Sequence, residues 1–67
     1  MKALGKRIKE LRKVQGFSQE DLSYEADIPL SQVGRIERGE INPTISTLAA
    51  VASALHVELK EVVNFKY

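Results

Sequence analysis

The 67-residue sequence has no cysteine, no tryptophan, a single histidine, two tyrosines and two phenylalanines. Without cysteine there is no disulfide framework and no thiolate chemistry, and the reducing cytoplasm is the expected compartment. His56 stands without clustered carboxylates at metal-ligand spacing, so neither a metal nor a cofactor is expected, and it reads as a helix-terminating residue. No apolar run approaches the roughly 20 residues that cross a bilayer. The N-terminus is charged and amphipathic rather than signal-like. A hydrophobic fraction of 43% with few aromatics supports a small core but not a large substrate cavity. No group stands out as a catalyst, so the chain is expected not to be an enzyme. Its length suits one small domain over residues 1–67, near the size at which folding alone becomes marginal.

A strong charge of one sign is lacking too, since the net charge is +1. The distribution is nevertheless lopsided. Lys2, Lys6, Arg7, Lys9, Arg12 and Lys13 face Glu10 alone in the first segment, whereas Glu20, Asp21, Glu25 and Asp27 follow with no base among them. Such a molecule can be oriented on a polyanion, although a solvated basic helix face has the same signature.

What is present is helical periodicity. Apolar spacing predicts five short helices, about 2–15, 19–26, 29–38, 45–55 and 59–64, with no strand signal, repeat or interdomain linker. In the first, Leu4, Ile8 and Leu11 form an inward stripe with Val14 at its edge. Gly16 is placed to end that helix, and Phe17 to enter the core. Ser18 with Asp21 makes a capping-box start for the second helix. Pro29 suits the first position of the third, and Gly39 its end. Thr44 caps the fourth, whose buried stripe is Ile45, Leu48, Ala52 and Leu55 with Val51 beside it. Leu59 and Val62 face inward from the fifth.

The organising stretch is Gln19 to Arg38, a short helix, a tight turn and a second helix. Leu22, Ala26, Ile28, Val33 and Ile36 supply its inward side chains. Ser23 is small where the helices cross, and Asp27 tolerates the positive φ of the turn. On the third helix Val33 and Ile36 point one way, with Glu37 close beside them. Ser31, Arg35 and Arg38 point the other, with Leu30 and Gln32 on the flanks. Arg pairs bidentately with guanine and Gln with adenine, Ser bonds several base edges, and Leu30 could meet a thymine methyl. Gly34, costly in mid-helix, would suit close approach to DNA or be a tolerated neutral residue.

The stretch resembles the helix-turn-helix of lambdoid phage repressors, Cro proteins and restriction–modification controller proteins. The likeness extends over Leu4 to Val63 through Arg-Ile-Lys-Glu-Leu-Arg (7–12), Phe-Ser-Gln-Glu-Asp-Leu (17–22), Ile-Glu-Arg-Gly (36–39), Asn-Pro-Thr (42–44) and Leu-Ala-Ala-Val-Ala-Ser-Ala-Leu-His-Val (48–57). The resemblance implies an all-α, lambda-repressor-like domain that binds double-stranded DNA sequence-specifically as a homodimer to repress or activate transcription. Residues matching the family's base readers are Leu30, Ser31, Gln32 and Arg35, and those matching its phosphate anchors are Gln19, Arg38, Asn42 and Thr44. Arg12 and Glu37 match a pair linking the first helix to the third. Asp27 and His56 replace the family's frequent Gly, Ser23 its usual Ala, and Glu58 a common neutral N-cap.

Two recognition helices must reach major grooves about 34 Å apart, so a dimer is required. The expected interface is Val63, Phe65 and Tyr67, the apolar residues left after Leu59 and Val62 enter the core; the alternative is that Phe65 folds back and the tail frays. Other readings are the DNA-binding antitoxin of a toxin–antitoxin pair, or an interaction module keeping the fold without DNA binding. The latter would favour an acidic or apolar third helix, whereas Arg35 and Arg38 are basic.

Overall fold

Five α-helices succeed one another: α1 (Lys2–Val14), α2 (Gln19–Ala26), α3 (Leu30–Glu37), α4 (Ile45–Ala54) and α5 (Leu59–Val62). The computed structural model describes residues 2–64; Phe65 and Tyr67 lie outside the described residues. Among the described residues there is no strand, and no helix is long and apolar enough to cross a membrane.

Four of the helices end in one kind of turn. Gly16, Asp27, Gly39 and His56 adopt φ of 75°, 56°, 75° and 59°. Each donates its N–H to the carbonyl three residues back, and the following residue donates to the carbonyl five back. This arrangement satisfies carbonyls that a helix end leaves orphaned. Asp27 and His56 accomplish it without glycine. At the first of these turns Ser23 adds a bond, its hydroxyl donating to the Ile28 carbonyl at 2.6 Å. Beyond three of these turns the next residue is aimed back at the body: Phe17, Ile28 and Val57 pack on the core from that position.

The helix starts are equally local. Ser18 accepts from the Asp21 amide at 3.0 Å, and the Asp21 carboxylate accepts from the Ser18 amide at 2.8 Å. These hydrogen bonds, the backbone one first, hold the Asp21 carboxyl below its ordinary pKa. Thr44 caps α4 by accepting from the Thr47 amide at 3.1 Å. Glu58, at the N-cap of α5, makes no side-chain cap bond and pairs with Lys60 at 3.2 Å.

Four helices are shorter than periodicity predicts. α1 stops at Val14 because Gln15 already belongs to the turn. Pro29 is the N-cap of α3 and not its first residue: its ψ of 144° is extended, while its carbonyl accepts from Gln32 and Val33. Arg38 and Leu55 relax to ψ near zero as C-caps ahead of their left-handed neighbours. α5 ends at Val62, with Val63 its C-cap. Two expected inward residues face solvent instead. Val14 is 80% exposed and Ile45 70%, since each lies in a terminal turn that overshoots the helices packed on the rest of its stripe.

The core joins Leu4 and Ile8 of α1, Leu22 and Ala26 of α2, Val33 and Ile36 of α3, and Leu48, Val51, Ala52 and Leu55 at α4, closed by Val62. α2 packs on α3 and α4, α1 on α3 and α5, and α4 on α5. Arg7 fastens α1 to α5, its Nε donating to the Glu61 carbonyl at 2.8 Å.

α1 meets the end of α3 at Gly5. A Cβ there would lie 2.5 Å from the Glu37 carbonyl oxygen and closer still to that of Ile36. These are backbone atoms, so a side chain at position 5 can be accommodated only by moving one helix. Gly5→Ala is therefore expected to destabilise the fold by about 3 kcal/mol, at the upper end for overpacking. Gly16→Ala meets no neighbour and bears only the strain of its positive φ, costing about 1 kcal/mol. Denaturant titration of both variants checks the order; equal costs would show that the α1–α3 contact yields.

Candidate nucleic-acid interface

The third helix is held from within by ionic chemistry. Arg12, near the end of α1, is one of the buried residues of the protein, and its guanidinium meets Glu37 in the last turn of α3. Arg12 Nε donates to Glu37 Oε2 at 2.7 Å and Nη2 to Oε1 at 3.0 Å. The two side chains are only 9% and 3% exposed. Charges withdrawn from water this far survive only where their remaining hydrogen-bonding capacity is met. It is met here: Arg12 Nη1 donates to the Phe17 carbonyl at 2.8 Å, and Gln19 Nε2 donates to Glu37 Oε1 at 3.0 Å. One buried ion pair thus ties together α1, the α1–α2 turn, the first residue of α2 and the end of α3.

With Val33 and Ile36 in the core and Glu37 so held, the orientation of α3 is determined. Ser31 and Arg35 are exposed and Gln32 half-buried, while Leu30 is 44% exposed at the first turn. Ile41 packs on the core and pins the loop after α3. The loop therefore presents Asn42 and Thr44 as exposed residues, although the Thr44 hydroxyl is committed to its cap. Gln19 starts α2 with its side-chain amide turned towards Glu37.

Arg38 extends over Gly34, where a Cβ would lie 2.9 Å from its Nη1. The space above Gly34 is thus occupied by a guanidinium, which is why this glycine is buried. Arg38 Nε donates to Glu40 Oε2 at 2.6 Å, and Arg35 Nε stands 3.9 Å from Glu40 Oε1. Hydrogen bonding to Arg38 holds the Glu40 carboxyl below its usual value, and the same bond raises Arg38. Of the expected dimer residues, Val63 is 46% exposed beside α5.

Sequence reasoning missed the contacts of Gly5, Arg7 and Glu40 and the inward bond of Gln19. Gly5 alone carried a signal, a glycine within a run of good helix formers. The open depression lined by Gln15, Gly16, Phe17, Asp21, Tyr24 and Glu25 includes no residue of α3. Among the described residues no group of three or more His, Cys, Asp or Glu is placed to hold a metal ion.

The sequence profile of the helix-turn-helix family matches residues 8–62. The immunity repressor protein of Bacillus phage phi105 is 40% identical over 61 residues, covering 91% of this chain and 42% of the repressor. Among solved structures, the restriction–modification controller protein C.AhdI from Aeromonas hydrophila superimposes with a TM-score of 0.90 at 36% identity, covering 91% of this chain and 92% of that one. The biofilm master regulator SinR, solved in complex with DNA, gives 0.86 at 34% identity over 91% of this chain and 98% of that one. The chain spans about half the length of the curated relatives it matches. It belongs to the helix-turn-helix family, with α2 and α3 as the two helices of the motif.

Removing one partner of a buried ion pair strands the other, at a cost of about 3–5 kcal/mol. Glu37→Ala is expected to lose stability on that scale without any DNA present, and Gln19→Ala to lose less because it removes one neutral donor. The denaturant midpoint measures both; a wild-type midpoint for Glu37→Ala would show that the pair does not anchor α3.

Proposed function

We propose that this helix-turn-helix protein is a cytoplasmic regulator of transcription that binds duplex DNA sequence-specifically as a homodimer, with α3 in the major groove. The observation that carries the reading is the division of α3 into two faces. One is immobilised by Val33, Ile36 and the Glu37–Arg12 pair; the other offers Ser31, Gln32 and Arg35 to a partner. A reading helix must be rigid for its hydrogen bonds to discriminate between bases, and this one is anchored by the residues that share its turns. Leu30, Ser31, Gln32 and Arg35 are assigned to base edges. SinR, a relative, is a chain solved with DNA, which supports the same partner here.

Gln19, Arg38, Asn42 and Thr44 are assigned to phosphates. Because the Gln19 side-chain amide is engaged by Glu37, its contribution to a phosphate is its place in the first turn of α2, where backbone N–H groups lack helical partners. Size supports the pairing of two copies. The longest dimension of the described residues is 28 Å, short of the roughly 34 Å between successive major grooves on one side of B-DNA. Val63, with Phe65 and Tyr67 beyond it, is the apolar patch assigned to that contact.

Selection of bound sequences from random duplex DNA tests both halves of the reading. Two inverted half-sites about one helical turn apart are expected. With Arg35→Ala the preference at one base pair per half-site should flatten, and specific binding should weaken by about 1–3 kcal/mol. No enrichment, solitary half-sites, or an unchanged profile for Arg35→Ala would each contradict the assignment.

A further inference from the structure

Three of the four left-handed turns deliver an apolar residue to the core from the position beyond the turn: Phe17, Ile28 and Val57. The turn at Gly39 delivers Glu40, which is exposed. Its backbone is fixed as firmly as the others, the Glu40 amide donating to the Arg35 carbonyl at 2.9 Å and the Gly39 amide to that of Ile36 at 3.0 Å. The side chain therefore starts beside the end of α3, and its carboxylate lies there against Arg38. That end carries the negative pole of the helix dipole, where an anion is disfavoured unless cations offset it. Two do so. Arg38 bonds it through Nε at 2.6 Å and Nη2 at 3.4 Å, and Arg35 approaches within 3.9 Å.

We propose that Glu40 acts as an internal stand-in for a DNA phosphate, holding Arg38 and partly neutralising Arg35 until DNA displaces it, and thereby sets how tightly the protein grips DNA of any sequence. The inference rests on the assignment of the α3 face to DNA. An anion supplied by the protein and an anion supplied by the backbone of DNA compete for the Nε/Nη2 edge of Arg38, and one edge of a guanidinium serves a single bidentate partner at a time. Gly34 contributes by leaving room for the Arg38 side chain to lie along the helix within reach of Glu40. The lock is weak by construction: Arg38 and Glu40 side chains are 59% and 49% exposed, and pairs so well hydrated contribute little. It tempers binding without forbidding it.

The consequence is a trade of affinity for discrimination. Phosphate contacts attract the protein to every sequence, while base contacts select among them. A carboxylate that occupies the phosphate-binding arginine lowers the sequence-independent share.

Fluorescence anisotropy of a labelled random-sequence duplex, titrated with purified protein at several salt concentrations, tests this. Glu40→Gln keeps the size of the side chain and removes its charge. It is expected to bind about three- to tenfold more tightly than wild type near 0.1 M salt. Its plot of log affinity against log salt should be steeper by about 0.9, the increment for one more phosphate contact. In an Arg38→Gln background the same substitution should give no more than a marginal gain. Wild-type affinity and slope in Glu40→Gln, with the wild type itself binding, would overturn the proposal and leave the DNA assignment standing. A full gain in the Arg38→Gln background would overturn it as well, by showing a general charge effect. Absence of binding by wild type and variant alike at low salt would overturn the proposal together with the DNA assignment.

Discussion

Everything that α3 can do depends on the carboxylate of Glu37. A helix of eight residues has little stability of its own, and its direction in space is set by what it leans on. Val33 and Ile36 supply attraction, but apolar contact is non-directional and would tolerate rotation about the helix axis. The bidentate Arg12–Glu37 pair is directional, and its remaining capacity is met by the Phe17 carbonyl, which accepts from Arg12, and by Gln19, which donates to Glu37. Buried pairs of this kind break even at best against well-packed apolar residues. What this one contributes is orientation: it locks the rotation of α3 to the end of α1 and the start of α2. The close passage of α1 over the α3 terminus, allowed by the bare Cα of Gly5, brings the two charges within reach.

The turns complete the design. Left-handed residues at positions 16, 27, 39 and 56 stop the helices, and three of them throw the next side chain, an apolar one, inward. The fourth is a carboxylate beside the two outward arginines of α3. The same backbone device therefore serves packing three times and electrostatics once. Positive charge at the outward face is accordingly lower than a count of Arg35 and Arg38 suggests, in keeping with a net charge of only +1 for the chain.

Much of this was legible in the residues, because helix formation and termination are local. Spacing identifies Leu4, Ile8, Leu22, Val33, Ile36, Leu48 and Leu55 as inward, while residue type marks Asp27 for the left-handed turn and position marks His56 as a helix terminus. The failures share a cause. Periodicity reports which face a residue occupies but not where the opposing helix ends, so Val14 and Ile45 were placed on stripes that continue into solvent. Proline at position 29 suits the first helical residue by type, yet its extended ψ makes it the cap. Contacts between distant segments leave no local trace: Arg7 finds a carbonyl 54 residues away, and Gly5 is explained only by the backbone that crosses it. Gln19 and Glu40 were legible as polar residues near the motif, but which charge each one meets is decided by tertiary geometry.

The central claim is that one surface, α3 with the start of α2 and the loop at Asn42, meets duplex DNA. Backbone amide chemical shifts of labelled protein, followed as a short duplex is added, test it most directly. The account predicts the largest changes at Gln19 and Glu20, along Ser31 to Arg35, and from Asn42 into the first turn of α4, with Tyr24 and α5 nearly still. Changes concentrated around Tyr24 and Glu25 while α3 remains silent would contradict it.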